Sequence, residues 1–78
     1  MDLKLLISEL KHALDSAPGL PAPDVDSIGV LIRAGEWEIA LETLCTQISE
    51  YELEMSDEQR FRLSRLGRVL NVPVDDLL

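Results

Sequence analysis

Apolar residues along this chain recur at helical intervals and nowhere alternate in the manner of a strand. Leu3, Leu6, Ile7, Leu10 and Leu14 follow the i, i+3, i+4, i+7, i+11 pattern of an amphipathic helix, so a first helix is expected near residues 2–16. Ala17-Pro18-Gly19 ends it, and Pro21 and Pro23 stiffen the connector that follows. Asp24 has the character of an N-cap, because its carboxylate can accept from orphan backbone amides. A short second helix is therefore expected near 25–34, with Val25, Ile28, Leu31 and Ile32 turned inward. Gly29 lowers its propensity and would allow another helix to approach.

Gly35 stops the second helix, and a third begins almost at once, near 36–52. So short a connection predicts an antiparallel helical hairpin. The inner stripe of the third helix is Trp37, Leu41, Leu44, Ile48 and Tyr51, with Ala40 and Cys45 beside it. Ser56-Asp57-Glu58-Gln59 is a capping-box pattern that opens a fourth helix near 57–70. Leu63, Leu66 and Leu70 form its core face, with Gly67 as the small residue there. Asn71 suits a C-terminal cap, and Pro73 blocks continuation. The closing Val-Asp-Asp-Leu-Leu either starts one more turn or frays. The expected fold is all-α: one domain over residues 1–78, a small bundle of about four short helices with an antiparallel hairpin at its centre.

Composition adds charge to this picture. The chain has 78 residues and a formal charge of −8. Residues 1–56 carry eleven acids and three bases, residues 57–70 two acids and four arginines, and the tail two more acids. Such a field repels nucleic acid and anionic membrane surfaces and attracts basic partners. The single cysteine, Cys45, allows no internal disulfide and fits a reducing compartment. No apolar run has the length of a signal peptide core or a membrane span, so a soluble cytoplasmic protein is expected. The pattern leaves the oligomeric state open.

The third helix shows where the acidity is concentrated. Each residue turns about 100°, so with Trp37 inward, Glu38, Ile39, Glu42, Thr46, Ser49 and Glu50 point outward. Ile39 is the apolar exception among them. An exposed apolar residue framed by carboxylates suits a basic protein partner: the apolar group supplies burial, and the acids steer and orient. If a neighbouring helix covers that side, Ile39 is simply core. Glu50, Glu52 and Glu54 crowd the end of the helix, where acids oppose the macrodipole. The candidate partner-binding residues are thus Glu38, Ile39, Glu42, Glu50, Glu52 and Glu54. Phe61, Arg65 and Arg68 form a second, basic face on the fourth helix. It is either a further binding surface or a set of arginines paired with the domain's own acids above Phe61.

Catalytic chemistry is poorly represented. Glu38 and Glu42 have i, i+4 spacing, but His12 is the only histidine and no second motif supplies ligands, so neither a metal nor a cofactor is expected. Cys45 falls on an inner face and His12 on a polar one. No nucleophile, base and orienting group come together, and no enzyme is expected. Asp26-Ser27-Ile28 resembles the Asp-Ser-Leu of acyl carrier proteins, a family whose serine carries phosphopantetheine at the start of its second helix. The glycine usual before that motif is Val25 here, the preceding connector is shorter, and the helix after it ends early at Gly35. An acyl-carrier-like protein with Ser27 as the phosphopantetheine site is the alternative reading.

Across IRAGEWEIALETLCTQISEYELEMSDEQ the chain resembles the MafI-type immunity proteins of bacterial polymorphic toxin systems. The shared features are Gly35-Glu36-Trp37, Ala40-Leu41-Glu42-Thr43-Leu44-Cys45, the Gln47 to Glu50 continuation, and Ser56 to Glu58 at the next helix start. Leu66-Gly67 followed by Val72 is similar too. The match extends over residues 28–72. The resemblance implies a small cytoplasmic protein that binds and neutralises a cognate toxin domain. Such toxins are often nucleases with basic clefts, which an acidic surface would block without any catalysis.

Overall fold

The computed structural model describes all 78 residues and is all-helical. The helices run α1 Leu3–Asp15, α2 Ala22–Arg33, α3 Trp37–Glu50, α4 Asp57–Leu70 and α5 Val74–Leu77. The four expected helices are present, and the tail makes the additional turn, α5.

Local chemistry accounts for most boundaries. Asp2 caps α1, its carboxylate accepting from the Leu5 amide at 2.8 Å. Ser56 and Gln59 close the expected capping box of α4, each side chain accepting from the other's backbone amide at 3.1 Å. Two orphan donors are thereby satisfied at once. Asn71 ends α4 in the left-handed conformation, φ 58°, which asparagine tolerates better than most residues. The chain then folds back sharply, and Gly67 makes this possible. A Cβ there would lie 2.6 Å from Val74 Cγ2 and 2.7 Å from the Val72 carbonyl oxygen. α5 therefore sits directly on the backbone of α4.

The start of α2 differs from expectation. The helix begins three residues earlier than predicted, with Pro21 as its N-cap and Pro23 inside its first turn. Proline is tolerated there because first-turn amides have no helical acceptor. Asp24 consequently does not cap α2; it lies within the first turn and is engaged elsewhere. Nor does Gly29 admit a second helix. A Cβ at that position would meet only the guanidinium of Arg33, from its own helix, at 3.4 Å.

α3 is the central element and packs against all four other helices. Its buried residues are Ala40, Leu41, Leu44, Cys45 and Ile48. With Leu6, Leu10, Leu14, Ile28, Ile32, Leu63, Leu66, Val72 and Val74 they belong to one continuous apolar core. No charged side chain is buried in it. Two residues of the predicted inner stripes lie elsewhere. Leu3 is exposed at the start of α1, and Tyr51, the C-cap of α3, is also exposed. Trp37 is half-buried: it packs on the core edge and its Nε1 donates to the Ile32 carbonyl at 3.2 Å, bracing the hairpin turn. The terminal positions of an amphipathic stripe lack neighbours on one side, so periodicity overestimates their burial.

Candidate functional site

The outward side of α3 is built by phase alone. Glu38, Ile39, Glu42, Thr46, Ser49 and Glu50 are all exposed. They fall within about 120° of one another around the helix axis. Ile39 is 50% exposed despite the four helices that surround α3. No neighbour covers it, and the alternative of a core role falls away. Gly35, Glu36, Trp37, Glu38 and Ile39 together line a shallow hollow of about 210 Å³ at the hairpin turn. Its lining thus joins a half-buried indole, an exposed aliphatic side chain and two glutamates. Glu36 was not among the expected site residues, although its place beside Trp37 in the Gly-Glu-Trp turn was the available signal.

Of the other three candidate glutamates, Glu50 lies at the far end of this face and Glu52 and Glu54 leave it. Glu50 ends α3, about 16 Å along the axis from Ile39. Glu52 adopts the left-handed conformation, φ 51°, so the chain leaves the helix direction at that point and takes Glu54 with it. The bonds here are those of a Schellman motif: the Leu53 amide donates to the Ile48 carbonyl at 3.0 Å and the Glu52 amide to the Ser49 carbonyl at 3.1 Å. Glu52 lines a second hollow with Leu53, Met55 and Arg60. The six predicted residues therefore form two acidic groups, Glu38, Ile39 and Glu42 near the hairpin turn and Glu50, Glu52 and Glu54 at the exit. None of these six side chains takes part in a hydrogen bond or ion pair within the chain.

On the side of α3 that faces α2, level with its exit, lies a polar clasp that local sequence does not announce. The Asp24 carboxylate accepts from Gln47 Nε2 at 2.7 Å and from Tyr51 Oη at 2.9 Å. It ties the first turn of α2 to the last turn of α3, as an antiparallel hairpin requires. The hydrogen bond to Asp24, followed by desolvation and the nearby Asp24 and Glu50 charges, raises the Tyr51 pKa above its ordinary value. The hydroxyl is therefore held as a neutral donor at neutral pH.

The basic face on α4 divides as well. Glu9 on α1 takes both Arg62 Nε and Arg65 Nη2 at 3.1 Å, so Arg65 does pair with one of the domain's own acids. Arg62 was not foreseen as its companion. Arg68 makes no ion pair, and Phe61 does not pack beneath the arginines: at 62% exposed it is the most exposed of the large apolar side chains.

Nucleophilic and ligating groups do not converge. Cys45 is fully buried, and burial pushes its thiol up to about 12, so it remains protonated and inert at neutral pH. Ser27 is exposed in the interior of α2, which starts at Ala22; it is not at a helix start, the place the carrier resemblance implies. No group of three or more His, Cys, Asp or Glu residues is placed to hold a metal ion. No helix is long and apolar enough to cross a membrane. Comparison with protein-family models, curated proteins and solved structures finds no match to this chain.

Proposed function

We infer that this protein is an immunity protein, which binds a cognate bacterial toxin domain and blocks a basic cleft on it. The observation that carries the reading is the outward face of α3. Ile39 stands exposed there between Glu38 and Glu42, and neither carboxylate is used by the fold. Carboxylates without internal partners are available to an external cation, and an exposed apolar residue among them supplies area to bury. The likeness of residues 28–72 to MafI-type proteins gives this surface its biological direction. The net charge of −8 adds long-range attraction to a basic target and speeds encounter.

In this mechanism the protein performs no chemistry. The hairpin holds α3 in place, the acids orient the toxin, and Ile39 with the adjoining hollow beside Trp37 is desolvated on contact. Substrate is excluded from the cleft for as long as the complex lasts. A nuclease is the toxin class whose cleft this charge would fit best.

Two experiments separate the function from the site. Co-expression with the toxin encoded beside this gene should restore growth; absence of both rescue and binding removes the reading. Ile39→Arg combined with Glu42→Lys should weaken toxin binding by about tenfold or more while helicity stays unchanged. Rescue with unaltered binding by that variant would retain the immunity function and move its surface away from α3.

A further inference from the structure

The outward side of α4 is the other exposed surface, and its chemistry differs from that of α3; Glu58 there reaches Arg62 of its own helix at 4.0 Å and Arg65 is held by Glu9, while Phe61 and Arg68 have no partner in the chain. Glu58, Phe61, Arg65 and Arg68 are spaced 3, 4 and 3 residues apart, the spacing of a seam between two paired helices. They lie within about 80° of one another and opposite Leu63, Leu66 and Gly67. All four are exposed, Glu58 and Phe61 most of all. The order of groups along the seam is acid, aromatic, cation, cation.

That order is complementary to its own reverse. We propose that this stripe pairs two copies of the chain, with α4 lying antiparallel to the partner's α4 about a twofold axis. In that register Glu58 meets Arg68 of the second copy, and Phe61 lies against its Arg65. Each contact occurs twice, as an isologous interface requires. Glu9 already holds the Arg65 guanidinium at 3.1 Å, so its plane is ordered before Phe61 stacks on it. Residues 57–70 sum to +2 in a chain of −8, so the α4 face of one copy is drawn toward the acidic remainder of the other, and the two Glu58–Arg68 contacts offset the repulsion between the α4 faces themselves.

The size of the seam sets the strength. Glu58 to Arg68 spans about 15 Å of helix, which buries less than the ~1,000 Å² of a firmly held pair. A pair this small is expected to be weak, with a dissociation constant on the order of 100 μM as the value under test. The pairing is independent of the toxin-binding reading, because it uses no residue of α3.

Sedimentation velocity of the whole chain from about 10 μM to about 1 mM brackets that constant. The weight-average mass should climb from 8.7 kDa toward twice that value. Phe61→Ser, Glu58→Arg and Arg68→Glu should each hold it at the single-chain mass, and Glu58→Arg with Arg68→Glu on one chain should restore the rise. Circular dichroism checks that each variant is folded. A cross-linking test avoids charge reversal altogether: a Phe61→Cys chain mixed with an Arg65→Cys chain should form a mixed disulfide faster than either chain links to itself. A wild-type mass that never rises, a rise untouched by Phe61→Ser, or self-linking as fast as mixed linking overturns the proposal.

Discussion

The exits of α2 and α3 use one hydrogen-bond pattern with different residues at its critical point. At the end of α2 the Gly35 amide donates to the Ile32 carbonyl at 3.1 Å and the Glu36 amide to the Leu31 carbonyl at 2.9 Å. At the end of α3 the Glu52 and Leu53 amides make the equivalent bonds. The left-handed position is Gly35 in one, φ 79°, and Glu52 in the other, φ 51°. Glycine enters that region freely, whereas a residue with a Cβ does so at a cost of about 1–2 kcal/mol. The two exits thus reach one geometry by different means. At Gly35 the residue type permits it. At Glu52 the surroundings enforce it: Leu53 packs on the core, and Tyr51 is tied to Asp24. The acid so placed has no ion pair or side-chain hydrogen bond within the chain.

The larger effect at the two exits should come from adding a Cβ at Gly35, where space is open but the left-handed backbone is strained for a residue with a side chain. Gly35→Ala should lower stability by about 1–2 kcal/mol, a fall in Tm of about 4–10 °C for a domain of this size. Equal stability would mean that the hairpin turn relaxes and that the two exits are not equivalent. The reverse exchange, Glu52→Gly, should raise stability by about 1 kcal/mol, read as a higher urea midpoint with an unchanged slope. If Glu52 contacts the toxin, affinity should fall as stability rises. An unchanged midpoint would show that Glu52 carries no strain.

Gly29 supplies a control, since it lies inside α2 with helical backbone and open space beyond Arg33. Gly29→Ala should stabilise by about 0.5–1 kcal/mol. Its sign is opposite to that of Gly35→Ala six residues away, so the pair isolates backbone conformation from residue type. The smallest change in stability should follow loss of the clasp. In Asp24→Ala the Tyr51 hydroxyl loses its acceptor, and its pKa should drop back toward 10, read by absorbance at 295 nm across an alkaline titration. In the intact chain the folded pKa is the raised one. The clasp therefore contributes fully below about pH 10 and is lost as pH rises through the folded value. A Tyr51 titration identical in the two chains would remove Asp24 from the explanation of the α3 exit.

The outward face of α3 was legible in sequence because it depends on phase. Once Leu41, Leu44 and Ile48 point inward, Glu38 and Glu42 have no other direction available. Glu52 and Glu54 join the candidates because acids crowding the helix end oppose its macrodipole, but Glu52 itself turns left-handed and breaks the helical phase there. The Asp24 clasp was not legible, because its partners lie 23 and 27 residues away. Asp24 after two prolines reads as a local cap, since sequence offers only local acceptors for its role. Phe61 misled for a related reason. An aromatic among arginines has the composition of a covered cluster, but the covering must come from another element, and α1 reaches only as far as Arg62 and Arg65.

The sequence by itself determined the four main helical segments, the faces they bury along most of their length, the capping box at Ser56, the stop at Asn71 and the acidity of α3. These follow from a fixed helical period and from side chains bonding to backbone a few residues away. The tertiary structure decided which exposed positions stay exposed and which polar groups are already engaged. Ile39 and Phe61 remained free while Asp24 and Arg65 found partners, because burial and pairing depend on elements brought together by the fold, and no periodicity within a single helix records its neighbours.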